Sequence, residues 1–427
     1  MDTATPPEPA DAAEPQAAKA ADARPEAPRR MFFPCFDGYR ALAAGAVLLL
    51  HVGVASGFAF RHAGLGRYVF RLDVGVAVFF LISGFLLYRP FAAGHLADGS
   101  AGPRLGSYFR GRFLRIFPAY WVALTFVVLF QNGPKHQINN IGDFISYYGL
   151  LQQYTVKHQF GGIQQAWTLC VEISFYVFLP MWAWAMRRLA RRTANRLAVE
   201  LAGLAVLYGA GLVWRAAFAH YDPSHTVLGL HVLPAFFDEF ALGMGLAVLS
   251  VWFVQQRRTW RPFELAGRYP WACWALAAVC FWLTSTQLDI PANYNILSTR
   301  QWLSWTISYG LTAFFILLPG IFGPQDRGVI RGFLRNPVVR YLGLVSYGVY
   351  LWHEFFIDKY FDWTGNTRLA LTGSTLVGFV LFVAGASVLA ATLSYYLVER
   401  PALRLRAGGL SGYRQAATVP DVPVTKG

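Results

Sequence analysis

The sequence predicts an all-α protein, a polytopic transmembrane helix bundle of about ten spans with both termini in the cytoplasm. Hydrophobic residues make up 55% of the 427 positions and charged residues only 14%, whereas roughly a quarter of an average soluble domain is charged. The apolar residues form stretches close to the ~20 residues that a helix needs to cross a hydrocarbon core. Arginine-rich segments separate these stretches and give their orientation.

Three segments follow from this composition. Residues 1–30 are rich in Ala, Pro and Glu and lack aromatic residues, so they are predicted to be a disordered cytoplasmic tail. No apolar stretch precedes a small-residue cleavage site there, so the first span is expected to insert uncleaved. Residues 31–406 form the predicted transmembrane domain, and residues 407–427 form a second disordered cytoplasmic tail.

The spans are predicted from the apolar stretches in chain order, with the last one long enough to be tilted or to emerge from the bilayer. They are Tyr39–Ala59, Asp73–Phe91, Leu114–Phe130, Ala166–Met186, Leu197–Ala219, Leu233–Val254, Pro270–Ser285, Leu303–Phe322, Tyr341–Phe361 and Leu369–Val398.

Arginines concentrate after spans two, four, six and eight and after the last span. The positive-inside rule therefore places these connections and both termini in the cytoplasm, in a multi-pass protein of the cell (inner) membrane. Arg61, Arg67 and Arg71 depart from the rule, because they lie on the predicted outer side, and they either weaken the assignment or mark a functional basic patch. The longest outer connection, Gln131–Gln165, is polar and could cover a site.

The net charge of +14 could suggest nucleic acid, but the arginines lie in short loops where charge sets topology, so no nucleic-acid partner is expected. The four cysteines show no paired metal-ligand spacing, and they are interpreted as small apolar fillers. No metal and no permanently bound cofactor are predicted.

Ionisable side chains inside spans are costly and are functional candidates by default. His51 lies in the first span and Glu172 in the fourth. Counted from the outer ends of their spans, the two lie at similar depth, so they could meet. A carboxylate beside an imidazole would fix its tautomer and stabilise the imidazolium, as a general base for a hydroxyl requires. The alternatives are a structural histidine bonded to a neighbouring helix and a structural glutamate paired with an arginine.

A second histidine, His353, lies in the ninth span directly before Glu354. Tyr347, Tyr350 and His353 follow one helical stripe, so this histidine could serve the site or only pack against a neighbour.

The predicted cytoplasmic face carries a basic cluster. Arg40 begins the first span, with Asp37 one turn earlier. Arg112 and Arg115 lie at the inner mouth of the third span, and their spacing of three residues points them to the same side. Such a pair could grip a phosphate-bearing donor, or it could anchor lipid headgroups and set topology.

Taken together, these segments resemble the acyltransferase-3 family of integral membrane O-acyltransferases, from about Phe36 to Pro401. The segment from Phe36 resembles the family's first motif, and Arg40 and His51 fit its spacing of Arg, ten residues and His. The other matching segments, in order, are Gly75–Phe85, Arg112–Arg115, Trp167–Pro180, Ser346–His353 and Glu399–Pro401.

The resemblance implies transfer of an acyl group, usually acetyl, from acyl-coenzyme A as co-substrate to a hydroxyl of a cell-envelope carbohydrate or glycolipid. In family terms, His51 is the catalytic base and Glu172 supports it, while the donor's phosphates contact Arg40, Arg112 and Arg115. The supporting residues are Asp37, Ser83, Trp167, Tyr176, Tyr347 and His353. Ser83 and Tyr176 could relay the acyl group, although packing is the simpler explanation for both.

Three matters stay open at this level. Direct transfer and a covalent acyl-enzyme are both compatible with the sequence. A proton-coupled transporter or flippase of an envelope lipid or saccharide precursor would also bury His and Glu in a bundle, and a scaffold subunit is a third class. Beyond acyl-coenzyme A, the acceptor and membrane lipids, no partner and no oligomeric state follow from the residues.

Overall fold

The computed structural model describes residues 33–97, 102–131, 133, 136–219, 228–291 and 297–406. The tails predicted for residues 1–30 and 407–427 lie outside these residues. The described part of the chain is helical and contains no strand, which confirms the all-α class.

The helices are numbered here in chain order. They are α1 (Phe36–Ala55), α2 (Phe58–Arg61), α3 (Leu65–Val69), α4 (Val74–Ala97), α5 (Leu105–Phe130), α6 (Ile141–Tyr148), α7 (Trp167–Ala190), α8 (Arg196–Phe218), α9 (Phe237–Gln256), α10 (Arg261–Arg268), α11 (Pro270–Thr286), α12 (Thr299–Ile321), α13 (Val329–Leu334), α14 (Pro337–Thr364), α15 (Gly373–Ser394) and α16 (Arg400–Arg406). A π-helical turn, Tyr395–Glu399, joins the last two.

Among the described residues, eight helical segments are long and apolar enough to cross a membrane, and the chain is a multi-pass membrane protein. These segments correspond to eight of the ten predicted spans. The other two predicted spans also form helices: α11 has 17 residues, and the longer α14 carries polar and charged side chains in its second half. The total of ten and the orientation therefore stay predictions.

The centre of the bundle is a close crossing of α4 and α9. A Cβ atom on Gly84 would lie 2.5 Å from the carbonyl oxygen of Phe240, and one on Gly243 would lie 2.2 Å from that of Leu81. Helices in membranes associate through such small residues, because apolar side chains gain little by leaving lipid. On α14, Gly343 lies equally close to the backbone of Asp37 in α1. This contact holds α1 and α14 side by side.

In the connection between α5 and α7, which is predicted to lie on the outer side, one aspartate holds several of the described residues together. Asp143, in α6, accepts hydrogen bonds from Lys157 Nζ and His158 Nε2, each at 2.8 Å. These two bonds hold the pKa of Asp143 well below its usual value. The segment ends on α14, because the side-chain amide of Gln165 donates to the carbonyl oxygens of Tyr350 and Leu351 at 2.9 and 3.0 Å.

The three arginines that were predicted on the outer side differ in their surroundings. Arg61 donates to the carbonyl oxygens of Leu369 and Leu371 and so ties the end of α2 to the loop before α15. Arg71 is 2% exposed and donates to the carbonyl oxygen of Ile290 at 2.6 Å. Arg67, on α3, is exposed. Two of the three therefore anchor loops, which explains part of this departure from the positive-inside rule.

Candidate active site

His51 lies near the end of α1, where its ring meets that of His353, in α14, edge to edge. The ring centroids are 5.0 Å apart and the ring planes are 11° from parallel. Nδ1 of His51 lies 2.7 Å from Nε2 of His353. His353 is fully buried, whereas 25% of the His51 side chain is exposed. The pair therefore has a closed side and an open side.

The hydrogen bonds assign the tautomers of the two rings. Nδ1 of His353 lies 3.1 Å from the carbonyl oxygen of Val349, which can only accept, so this nitrogen carries a proton. In neutral His353, Nε2 is then an acceptor, and Nδ1 of His51 must be the donor in the 2.7 Å contact. Nε2 of neutral His51 is therefore left with its lone pair, as a general base requires.

Glu354 is the carboxylate beside His51. Its Oε1 lies 3.2 Å from Nδ1 of His51, and 21% of its side chain is exposed. A carboxylate at this distance stabilises the imidazolium that forms when Nε2 takes a proton. The sequence showed this glutamate next to His353 but gave it no role. An acidic residue inside a predicted span was the available signal.

Glu172 has other partners, which corrects the expectation that it meets His51. Its Oε1 accepts hydrogen bonds from Ser83 Oγ at 2.8 Å and from Tyr176 OH at 2.6 Å. Glu172 and His51 form neither a hydrogen bond nor an ion pair with each other. Counting residues from the ends of the spans gives depth along a helix, whereas contact also depends on the direction in which each side chain points.

Glu172 instead lines a cavity of about 110 Å³, called here the arginine cavity. The predicted donor-binding arginines all line it, and four predicted supporting or catalytic residues join them. The predicted residues at its walls are Arg40, Ser83, Arg112, Arg115, Glu172, Tyr176 and Tyr347.

Several contacts fix the walls of the arginine cavity. Arg40 Nη1 donates to Asp37 Oδ1 at 3.0 Å, and Arg112 lies over the ring of Tyr176, 5.9 Å from its centroid. The Tyr347 hydroxyl donates to the carbonyl oxygen of Ile116 at 2.8 Å. The proline that follows the arginine pair in sequence, Pro118, is inside α5. The cavity thus combines three guanidinium groups with a hydrogen-bonded carboxylate, which suits a group carrying negative charge.

The arginine cavity and the histidine pair share one wall. Tyr350 lines the cavity, and its ring centroid lies 5.9 Å from that of His353. The Tyr350 hydroxyl also lies 2.8 Å from Thr168 Oγ1, on α7. α14 therefore supplies residues to both places and joins the arginine cavity to the histidine pair.

Trp167 is the predicted site residue that does not join either place. Its ring packs edge-on against His231, with centroids 4.9 Å apart, and against Phe236 at 5.6 Å. Packing accounts for this side chain.

A possible metal-binding group coincides with the histidine pair. One ligand atom from each of His51, His353 and Glu354 lies within 4.8 Å of the other two. Two imidazoles and a carboxylate are a suitable donor set for zinc. The 2.7 Å between the histidine nitrogens is a hydrogen-bond distance, whereas two nitrogens on one tetrahedral zinc are ~3.3 Å apart. Both rings would have to separate, and the prediction of no metal stays a prediction.

Two further buried polar clusters were not found by sequence reasoning. One joins Tyr88 and His95 of α4 to Glu200 of α8. The other places Arg215 3.9 Å from both Asp238 and Glu239, at the outer end of α9.

Comparison with known proteins identifies the family. Residues 33–399 match the acyltransferase domain model of the acyltransferase-3 family. The chain belongs to this family. The acyltransferase-3 domain therefore covers the described helices from α1 to the π-helical turn, including both histidines and the arginine cavity.

Similar proteins are found in several bacteria. Nodulation protein 10 of Rhizobium leguminosarum bv. viciae is 28% identical, over 87% of this chain and 93% of that protein. The acyltransferase MdmB of Streptomyces mycarofaciens is 24% identical, over 92% and 96%. The peptidoglycan O-acetyltransferase OatA of Listeria monocytogenes is 25% identical, over 90% of this chain but only 57% of that protein. The chain thus spans little more than half of the peptidoglycan enzyme, and no solved structure matches it.

Proposed function

We propose that this acyltransferase moves an acyl group, most simply acetyl, from acyl-coenzyme A to a hydroxyl of a cell-envelope carbohydrate or glycolipid. The observation that carries the proposal is the free lone pair on Nε2 of His51, in a histidine pair that shares the Tyr350 wall with the arginine cavity. A base with a free lone pair suits removal of a hydroxyl proton. The three guanidinium groups of the arginine cavity suit the phosphates of coenzyme A. The peptidoglycan O-acetyltransferase relative supports an envelope acceptor.

The proposed topology has ten spans and cytoplasmic termini, in the inner membrane of the cell. Residues 1–30 and 407–427 would be cytoplasmic tails around a domain of residues 31–406. The arginines between the even-numbered spans support this orientation through the positive-inside rule. It puts the arginine cavity toward the cytoplasm, where acyl-coenzyme A is made, and the end of α1 toward the envelope.

In the proposed mechanism, Nε2 of His51 removes the proton of the acceptor hydroxyl. The oxygen attacks the thioester carbonyl carbon, the carbon–sulfur bond breaks, and the coenzyme A thiolate takes the proton from His51. His353 holds the Nδ1 proton of His51, and Glu354 stabilises the imidazolium. Each step conserves atoms and charge, and the ester and the free thiol are the products.

Glu172 has a different role in this proposal from the one expected for it. With Ser83 and Tyr176 bonded to it, its carboxylate partly offsets the charge of the three arginines. A cavity of about 110 Å³ is smaller than the ~300–1,000 Å³ of sites that enclose small ligands. Only part of the donor would therefore lie inside it, with the remainder at its cytoplasmic mouth.

Purified protein incubated with labelled acetyl-coenzyme A and envelope glycolipids tests the proposal. Label should appear in the glycolipid as an ester. Movement of a glycolipid across a vesicle membrane without label transfer would instead identify a transporter. In the double variant Arg112→Ala, Arg115→Ala, KM for acetyl-coenzyme A should rise more than kcat falls. An unchanged KM would mean that the two arginines only set the orientation of the chain in the membrane. Mass spectrometry of envelope glycans from a deletion strain then identifies the acceptor.

A further inference from the structure

An outer cavity of about 350 Å³ lies apart from the arginine cavity. Its polar walls come from α3 and from the end of α11 with the loop that follows. The charged and hydroxyl-bearing side chains that line it are Arg67, Arg71, Ser285, Thr286 and Asp289. On the proposed orientation this cavity faces the envelope. Its volume falls within the range of sites that bind small molecules.

The outer cavity lies next to the helix that carries the base. α3 packs on α1 so closely that a Cβ atom on Gly53 would lie 2.4 Å from Cγ1 of Val69. Gly53 is two residues beyond His51, which turns it about 200° away from the imidazole around α1. α3 therefore packs on the side of α1 that points away from the base, and an acceptor held in the outer cavity would reach His51 over the end of α1, at Ala55.

Arg71 is a fixed cation in the cavity wall. Its Nη2 donates to the carbonyl oxygens of Ile290 and Pro291 at 2.6 and 3.0 Å, and its guanidinium lies 5.5 Å from the ring centroid of Trp305. A guanidinium held in place loses little conformational entropy when it binds an anion. Arg67 adds an exposed cation to the same cavity.

The remaining polar groups suit hydroxyls. Ser285 Oγ and Thr286 Oγ1 donate their protons to the carbonyl oxygens of Phe281 and Trp282 at 2.7 and 2.8 Å. Thr286 Oγ1 also accepts from Gln287 Nε2 at 3.2 Å, but a hydroxyl oxygen accepts up to two hydrogen bonds, so both oxygens can still accept one. Asp289 supplies an exposed carboxylate. Its backbone is held where Gln301 Nε2 donates to its carbonyl oxygen at 2.7 Å.

We infer that the outer cavity is an acceptor subsite that binds a saccharide bearing a carboxylate or phosphate group. Arg67 and Arg71 bind the anionic group, while Asp289 and the two hydroxyl oxygens bind the sugar hydroxyls. With two guanidinium groups against one carboxylate among the lining residues, the cavity favours an anion over a neutral sugar. This inference rests on the proposed function, because it names the class of acceptor.

Binding of small sugars to the full chain in phosphatidylcholine nanodiscs tests the subsite. The probes are methyl glucoside, methyl glucuronide and glucose 6-phosphate, which are respectively neutral, a carboxylate and a phosphate. Calorimetry should show both anionic sugars binding at least ~10-fold more tightly than the neutral one, as expected for a charge-assisted hydrogen bond. Equal affinity for all three would overturn the inference.

Two variants compare arginines on the same face of the molecule. Arg67→Gln should remove most of the preference for anionic sugars. Arg300→Gln removes an exposed arginine from the start of α12, outside the cavity lining. This variant should retain the preference for anionic sugars. An equal loss of this preference in both variants would mean that it comes from general surface charge and not from the cavity. Asp289→Asn should weaken the binding of all three sugars alike. An unchanged affinity in this variant would contradict the proposal that Asp289 binds the sugar hydroxyls.

Two further measurements separate the remaining possibilities. Nanodiscs containing phosphatidylglycerol should leave sugar binding unchanged, whereas its loss would assign the cavity to a lipid headgroup and overturn the saccharide subsite. KM for acetyl-coenzyme A should be the same in Arg67→Gln and in the wild type. Absence of acyl transfer in the wild type would contradict the proposed function, whereas a lost charge preference with intact transfer contradicts only this subsite.

Discussion

Two histidines inside the bundle each lie beside a glutamate of their own, and the surroundings of the two pairs differ. His95 Nδ1 is 2.6 Å from Glu200 Oε1, and the two side chains are 1% and 0% exposed. His51 Nδ1 is 3.2 Å from Glu354 Oε1, with 25% and 21% exposed. The first pair is enclosed by packing, whereas the second is partly exposed and leaves Nε2 of His51 without a hydrogen bond in the described part of the chain. A histidine and a glutamate in a membrane are therefore not enough to indicate catalysis.

Tyr88 completes the enclosed cluster, since its hydroxyl donates to Glu200 Oε2. Both carboxylate oxygens of Glu200 thus have a partner from α4. All three side chains are buried, so the expected contribution of this cluster is to hold α4 against α8. The comparison predicts that variants of the open pair change the rate and variants of the enclosed cluster change stability.

The largest effect is expected for His51→Ala. Loss of a general base costs ~10²–10⁴-fold in rate, and the rate of label transfer from acetyl-coenzyme A by the folded protein should fall by that factor. The variant also leaves Nε2 of the buried His353 without its donor, so a smaller loss of stability, ~1–3 kcal/mol, is expected beside it. His62→Ala, at an exposed histidine just beyond α2, is the control and should keep its activity. Full activity in His51→Ala would remove the base from the mechanism.

Glu200→Ala should act on stability. It leaves the buried donors of Tyr88 and His95 without an acceptor, at ~1–3 kcal/mol for each group. The free energy of unfolding in micelles should therefore fall by about 3 kcal/mol, with kcat of the folded fraction unchanged. Glu264→Ala, at an exposed glutamate of α10, provides the reference. A lowered kcat without a stability change would give the enclosed cluster a chemical role.

Glu354→Gln should have a smaller effect on the rate than loss of the base. The amide keeps the shape of the side chain but loses the charge that stabilises the His51 imidazolium, worth ~1.5–3 kcal/mol. Accordingly kcat should fall ~10–100-fold while KM for acetyl-coenzyme A stays the same. Asp362→Asn removes a more exposed carboxylate from the same helix and should have no effect. A change confined to KM would place Glu354 in substrate binding instead.

The smallest effect is expected for Tyr88→Phe. It removes one hydrogen bond to Glu200 and keeps the ring, so unfolding should become easier by about 1 kcal/mol. The free energy of unfolding, measured by chemical denaturation and compared with that of Glu200→Ala, gives the size of this effect. A loss as large as that of Glu200→Ala would mean that Tyr88 alone carries the cluster.

The sequence predicted the helices well and their partners poorly. The ten predicted spans all coincide with helices of the described chain, because long apolar stretches have few alternatives in a bilayer. The partner of His51 is 302 residues away in the chain, and neither hydropathy nor charge counting indicates which helices become neighbours. That choice depends on backbone approach at glycines such as Gly343, which a single sequence does not reveal.

The arginine cavity was easier to predict than the carboxylate of the base. Arg40, Arg112 and Arg115 lie near one face of the predicted membrane, so topology alone brings them together. Glu172 and Glu354 both lie within spans, but Glu172 lines a cavity with Arg40, which is eleven residues before His51 on α1. Residue counting alone indicates neither the relative depth nor the side-chain direction that brings a glutamate to His51.

One consequence of α1 concerns the distance that a bound donor has to span. Arg40 and His51 are eleven residues apart on this uninterrupted helix, which is three turns and roughly 20°, so both lie on nearly the same side. The helix therefore sets a distance of ~16 Å between the proposed phosphate-binding cation and the proposed base. Inserting a single residue between them would lengthen this distance by only ~1.5 Å but turn the imidazole away by about 100°.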